Sequence, residues 1–224
     1  MRFNNISKQL RYLFNLAIIL ACSATLAEVT DADLSGLKLA SETKTVKIYI
    51  AADADLSQYN AIQVNPITVN FDEKWLKTYN QSQSSISNRL RENDLKRISG
   101  RYSKGYLKII TRTISKKDGL SIANEAGKNT LKLSSEINNL RLYAPDKHGA
   151  TPTTSFVYQA GKATLHSKLF DSNTGKLLAA IVDKKETRDH VDLIRANRAI
   201  NQSEFHHVYV VWAKNVLIAL GQKN

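Results

Sequence analysis

Apolar and polar residues alternate in several short stretches of this chain, and that period of two predicts β-strands. Residues 46–50 carry apolar side chains at every second position. Residues 61–71 continue the pattern, but its parity changes at Pro66. Because a proline within a strand belongs at an edge or a bulge, we expect one kinked strand over 61–71. Residues 72–90 are rich in Gln, Ser and Asn and are expected to form a surface connection.

The second half of the chain contains three more predicted strands. Residues 130–142 alternate with a break at Asn138-Asn139, which indicates a bulge. Residues 156–170 are predicted to form a long strand. The Asp-Ser-Asn-Thr-Gly run at 171–175 predicts a hairpin turn into a partner strand at 176–182.

Two other segments repeat their apolar residues every three or four positions, which predicts amphipathic helices. The first covers residues 94–115. The second follows a charged, loop-like stretch at 183–200, begins with Ser203 as its cap and ends at Leu220. We therefore expect an α+β fold, a two-layer sandwich in which two amphipathic helices pack on one face of an antiparallel sheet of about five strands. Four side chains of the two helices are expected in the core: Tyr102, Ile109, Trp212 and Val216.

The N-terminus has a different pattern. Three basic residues and no acidic residue accompany an apolar run over residues 13–20, and small residues follow up to Ala27. This succession is typical of a secretory signal peptide. The run is shorter than the roughly 20 apolar residues that span a bilayer. We therefore expect the protein to be exported from the cytoplasm.

Two processing sites fit this N-terminus. Thr25-Leu26-Ala27 has the small-x-small form of a signal cleavage site, and cleavage after Ala27 would make Glu28 the first residue. Alternatively, Cys22, the only cysteine, would be lipidated after cleavage at a lipobox. Leu20 is bulky for that second site. The protein is thus expected in the periplasm, either soluble or anchored to a membrane by Cys22.

The length after cleavage suits one domain. Removal of residues 1–27 leaves 197 of the 224 residues, which is enough for a sizeable core. We expect a signal peptide over 1–27, an irregular lead-in over 28–44 and a single α+β domain over 45–221. Because no cysteine follows Cys22, no internal disulfide can stabilise that domain.

The chain is strongly basic, with a formal net charge of +12, or +9 once the three basic residues of the signal are removed. Such a surface attracts anionic partners such as lipid headgroups, lipopolysaccharide and acidic polymers. An exported chain is not expected to meet nucleic acid. The alternative interpretation is that the charge only keeps the protein soluble.

Five basic residues recur along the first predicted helix at spacings of four, three, four and four, and we name them the basic ridge. A basic helix face of this kind can lie on an anionic membrane surface or partner. The alternative is an ordinary solvated helix face. The basic ridge consists of Arg97, Arg101, Lys104, Lys108 and Arg112.

Motifs for catalysis, metals and cofactors were not found. The five histidines lack zinc-motif spacing, and His206 and His207 are adjacent, so their side chains point about 100° apart on a helix. The sequence contains no Gly-x-Ser-x-Gly elbow and no phosphate-binding loop. Asp171 and Asp183 could form a carboxylate pair across the hairpin, although a turn former and a strand end are simpler roles. We therefore predict no enzyme activity, catalytic residue, metal site or cofactor.

A series of short motifs occurs in fixed order along the chain: Asp55–Tyr59, Trp75, Leu142–Pro145, Ala160-Gly161, Leu169–Ser172, Thr174-Gly175, Val182-Asp183 and Trp212-Ala213. This series resembles the bacterial envelope family known as domain of unknown function 3313. The series extends over roughly residues 37–220, and no single motif is specific. The resemblance implies exported proteins of Gram-negative bacteria, many of them lipoproteins, and implies no activity or site residue. Relatives with a similar Trp75 region often carry an ordinary signal peptide, which supports cleavage after Ala27.

These observations predict an exported, non-enzymatic envelope protein, a binding or assembly accessory. Its partner is unknown and would be an anionic envelope component or another envelope protein. Two alternatives are a periplasmic, hydrolase-like enzyme and a structural outer-membrane lipoprotein attached through Cys22.

Overall fold

A mixed sheet of eight strands forms the centre of the fold in a computed structural model that describes residues 34–145 and 155–221. A separate two-stranded antiparallel ribbon pairs β7 (Ser155–Val157) with β10 (Ile194–Ala196). The strands of the main sheet are β1 (Leu37–Glu42), β2 (Val46–Ala51), β3 (Ala61–Val64), β4 (Thr68–Phe71), β5 (Ser121–Ile122), β6 (Thr130–Leu142), β8 (Gly161–Asp171) and β9 (Leu177–Glu186).

The strands follow the order β1-β2-β9-β8-β6-β3-β5. Strand β4 also pairs with β6, farther along that strand than β3 does. The neighbouring pairs β1-β2, β2-β9, β9-β8 and β8-β6 are antiparallel, as predicted, but β3 and β4 run parallel to β6. The predicted α+β class is therefore correct, but the sheet has eight strands rather than about five, and not all of its pairs are antiparallel. The parallel pairs arise because the chain leaves β4 through helices and returns in β6, whereas antiparallel neighbours need only a short hairpin.

Three helices accompany the sheet in the described ranges: α1 (Glu73–Ser82), α2 (Glu92–Ser115) and α3 (Arg198–Ala219). The two predicted helices, α2 and α3, pack against each other and cover one face of the sheet. The predicted core is confirmed, since Tyr102, Ile109, Trp212 and Val216 are all buried. Within those same ranges, no helix combines the length and apolar character needed to cross a membrane.

Several boundaries differ from the prediction. The expected lead-in contains the edge strand β1, and the expected kinked strand is divided around Pro66 into β3 and β4. Helix α1 lies in the expected surface connection, where the Asp72 side chain caps it by accepting from the Trp75 N–H at 2.7 Å. Helix α3 starts before Ser203, because Asn197 accepts from the Ile200 N–H at 3.0 Å and is the actual cap.

The predicted bulge in β6 is confirmed. The register with β8 shifts between Asn138 and Arg141, and Asn139 has a positive φ of 54°. Gly161 faces this irregular stretch, where an added Cβ would overlap the carbonyl oxygen of Arg141. A bulge redirects side chains, and this one places Asn139 against the cavities described below.

The predicted hairpin turn is also confirmed. The Asp171 carboxylate accepts from the backbone N–H of Thr174 at 2.7 Å and of Asn173 at 3.0 Å. Tyr59 donates its hydroxyl to the other carboxylate oxygen at 2.7 Å. These hydrogen bonds, led by that from the Thr174 N–H, lower the pKa of Asp171 to about 2. Asp171 is therefore a turn former.

Asp183 has a separate, internal role. Its register partner on β8 is Leu165, so it does not face Asp171 across the hairpin. The side chain is fully buried, accepts from the Asn215 side-chain amide at 2.6 Å and lies 3.3 Å from the Lys185 ammonium. Burial raises the pKa of this carboxyl group. The contact with Asn215 joins α3 to β9.

Candidate functional site

The basic ridge lies along α2. Lys104, Lys108 and Arg112 are exposed, whereas Arg97 and Arg101 are half-buried. Arg97 lies 3.5 Å from the Asp94 carboxylate one turn earlier, so its charge is partly balanced. The sequence placed the basic ridge on this helix, but it could not show that the five residues differ in exposure and in ion pairing.

A cleft of about 330 Å³ lies between α2 and α3, and it brings three members of the basic ridge together. Arg101, Lys108 and Arg112 line the cleft, while Arg97 and Lys104 do not. The helices approach closely at Gly105, where an added Cβ would lie only 2.9 Å from the Tyr209 ring. None of the lining residues in the described part of the chain is acidic. Its other lining residues are Tyr102, Gly105, Ile109, Gln202, His206 and Tyr209.

The opposite face of the sheet carries a second polar surface, which we name the open face. On β8, Ala163, Leu165 and Ser167 point toward the helices, so the alternate residues point to the open face. Two cavities of about 870 and 430 Å³ lie there and share part of their lining. The alternate residues of β8 are Lys162, Thr164, His166 and Lys168.

Among the described residues that line these two cavities, basic side chains outnumber acidic ones, and each acidic side chain already has a basic partner. The ion pairs are Glu42 with Lys47 at 3.0 Å, Asp72 with Arg141 at 2.7 Å and Glu186 with Lys162 at 3.1 Å. Lys44 and Lys184 line both cavities, are exposed, and form no ion pair with the described residues.

The sequence analysis missed this surface. The signal was the alternation in β8, where Lys, Thr and His occupy every second position of a strand whose other positions are apolar or small. That pattern predicts a polar face, but the strands that adjoin it depend on the sheet order. The cavities combine side chains from β2, β6, β8 and β9.

The remaining sequence predictions concern metal ligands and the processing residues. Among residues 34–145 and 155–221, no group of three or more His, Cys, Asp or Glu side chains is arranged to hold a metal ion. His206 and His207 have ring centroids 6.2 Å apart. The two processing residues, Cys22 and Ala27, lie outside the described residues.

Comparison with known proteins gives a family and distant structural neighbours. No curated protein matches the sequence. A PelC dodecamer structure from Paraburkholderia phytofirmans is similar at 8% identity and a TM-score of 0.39, over 80% of this chain and 99% of that chain. A DUF330 protein from Xanthomonas campestris is similar at 9% identity and a TM-score of 0.36, over 73% and 85% of the two chains.

The family resemblance predicted from the motif series is confirmed. A family model described as Protein of unknown function (DUF3313) matches residues 28–216. That range contains β1 to β9, β10, α1, α2 and nearly all of α3. Because the match covers most of the chain, this protein belongs to the DUF3313 family.

Proposed function

We propose that this protein is an exported, non-enzymatic envelope protein that binds an anionic envelope component through the cleft between α2 and α3. The observation that carries the proposal is the composition of the cleft, where Arg101, Lys108 and Arg112 lie together and none of the described lining residues is acidic. Cations grouped without acids raise the local concentration of anions. Lys108 and Arg112 are exposed, so a partner reaches them without rearrangement of the helices.

The structural role of the two helices supports binding by exposed charges rather than by insertion. The apolar stripe of α2 is buried, with Ile98, Tyr106, Ile110 and Ile114 fully enclosed. A helix that inserts into a bilayer needs a free apolar face. The basic side of α2 therefore acts as an electrostatic contact surface, while its apolar side holds the fold together.

Neutralising the cleft should abolish most of the binding. We expect the variant Arg101→Gln/Lys108→Gln/Arg112→Gln to bind anionic vesicles about 100-fold more weakly at low salt, because each cation contributes about 1 kcal/mol near an anionic surface. Sedimentation with vesicles of phosphatidylethanolamine and phosphatidylglycerol measures this, and purified lipopolysaccharide is the second probe. The difference should fade as salt rises, since charges are screened within about 8 Å at physiological ionic strength.

A matched control removes the same charge elsewhere. Lys74, Lys77 and Lys128 are exposed and lie outside the cleft lining, so their replacement by Gln should leave most of the binding intact. Equal losses in both triple variants would show that only net charge matters. Equal binding by the cleft variant and the parent protein would refute the proposed cleft. Circular dichroism of each variant verifies that the fold is retained.

Export is the second part of the proposal. When the full chain is expressed in a Gram-negative host, the protein should accumulate in the periplasmic fraction without its signal. Intact mass spectrometry should then show a chain that begins at Glu28, or a lipid-modified chain that begins at Cys22. A cytoplasmic protein that retains Met1 would contradict export. Comparison with a Cys22→Ser variant separates the two processing routes, because only the lipidated form would change in mass and membrane association.

A further inference from the structure

We propose that the open face holds a second binding site, specific for a phosphorylated saccharide. Within residues 34–145 and 155–221, five residues line both open-face cavities, and none of the five is acidic. They provide two ammonium groups, two hydroxyl groups and one side-chain amide. The five residues are Lys44, Thr45, Asn139, Thr164 and Lys184.

The two lysines supply charge that no acidic side chain among the described residues neutralises through an ion pair. Neighbouring acids are already paired, with Glu186 3.1 Å from Lys162 and Glu42 3.0 Å from Lys47. Lys44 and Lys184 form no ion pair with the described residues, and both side chains are exposed. An anionic ligand in the shared part of the cavities would provide the missing counter-charge.

The number of cations favours a phosphate monoester over a carboxylate. A phosphate monoester carries a charge of about −1.5 to −2 near neutral pH, which two ammonium groups match, whereas a carboxylate carries a single negative charge. Arg141 is the arginine in the cavity lining, and its Nε and Nη2 atoms already donate to Asp72 at 3.0 and 2.7 Å. The groups that remain for a ligand are therefore the ammonium groups of Lys44 and Lys184.

The rest of the lining favours a saccharide attached to that phosphate. Thr45, Asn139 and Thr164 offer hydroxyl and amide groups that match the alternating donors and acceptors of sugar hydroxyls. Tyr49 and Val182 line the smaller cavity and provide an aromatic and an apolar surface for a sugar ring. The larger cavity, about 870 Å³, lies within the size range of sites for small molecules.

Burial at the base of the site argues against a flat membrane surface as the ligand. Thr164 is 7% exposed and His166 is 8% exposed, so both lie below the level of the surrounding lysines. A planar bilayer cannot reach recessed side chains, whereas a free saccharide can. The bulge in β6 holds Asn139 at this position through its positive φ.

Calorimetric titration of the purified protein with glucose 1-phosphate, glucose and inorganic phosphate tests the site. We expect glucose 1-phosphate to bind more tightly than either glucose or phosphate alone. The variant Lys44→Gln/Lys184→Gln should weaken that binding about 10- to 100-fold, because hydrogen bonds to charged groups are lost. Asn139→Gly should also weaken it without unfolding the protein, since glycine adopts a positive φ readily.

The matched control is Lys74→Gln/Lys77→Gln, which removes two exposed charges on α1 and should leave the affinity for glucose 1-phosphate unchanged. Undiminished affinity in the Lys44→Gln/Lys184→Gln variant would overturn the proposal, as would the absence of binding to the parent protein. Equal affinity for inorganic phosphate and glucose 1-phosphate would refute saccharide recognition. Displacement of glucose 1-phosphate by phosphatidylglycerol vesicles would assign the site to lipid headgroups instead.

Discussion

Trp212→Ala should lower the free energy of unfolding by about 3–5 kcal/mol, the cost of deleting a large buried aromatic side chain. Trp212 is fully buried between α3 and the sheet. Its ring meets that of Tyr106 edge-on at 5.7 Å and lies 5.9 Å from that of Tyr209. The substitution therefore opens a cavity at the point where the two helices and the sheet meet. Equilibrium urea denaturation followed by circular dichroism measures the loss without relying on tryptophan fluorescence.

A neighbouring position on the same helix provides the control. Val211 is 40% exposed, so Val211→Ala should change the stability far less. Similar stability losses in the two variants would contradict the assignment of Trp212 to the core. They would also contradict the packing of α3 on the sheet, because that packing is what encloses the ring.

The second large effect is expected at Gly161, where replacement by alanine should cost about 3 kcal/mol or more. An added Cβ would overlap the backbone carbonyl oxygen of Arg141, which cannot move aside as a flexible side chain could. The strands would have to separate at the bulge. Thermal and urea denaturation measure the loss of stability, and calorimetry with glucose 1-phosphate would detect any change in the adjoining cavity.

Gly100→Ala is the matched control for this substitution. Gly100 lies within α2, and an added Cβ there meets no atom within 4 Å. Alanine is the better helix former, so Gly100→Ala should stabilise the protein by up to about 1 kcal/mol. Opposite signs for the two glycine replacements are expected. A Gly161→Ala protein as stable as the parent would mean that β6 and β8 do not approach as closely as described.

Features determined by short-range sequence were predicted well. The Asp171–Gly175 turn depends on side-chain hydrogen bonds within a few residues, and the stripe of α2 depends on a period of 3.6. The edge strand β1 was missed because it pairs with β2 at the end of the sheet order and five of its six residues are exposed, so burial does not impose an alternating pattern on its sequence. The start of α3 was missed because the helix begins five residues before Ser203, in a stretch where Arg198, Asn201 and Gln202 are polar, and one of these, Asn201, is nevertheless buried.

Features determined by distant partners could not be read from the sequence. The parallel pairing of β3 and β4 with β6 leaves no local signal, because it depends on the path of the chain through α1 and α2. The cleft and the open-face cavities likewise depend on contacts between residues that are distant in the sequence. Arg112 meets His206 only because the two helices are adjacent, and Lys184 meets Asn139 only because the sheet order places β8 between β9 and β6.

Strand β6 has the antiparallel neighbour β8 on one edge and the parallel neighbours β3 and β4 on the other. This arrangement has a consequence for the order in which the protein folds. Strand β9 closes onto β8 through a short turn, whereas Ile62 of β3 pairs with Leu131, 69 residues later in the chain. Closing a longer loop costs more entropy, so the hairpin forms early and the parallel pairs form late. Until β3 and β4 arrive, one edge of β6 has unpaired backbone groups. An unpaired strand edge of this kind leaves the folding chain open to aggregation.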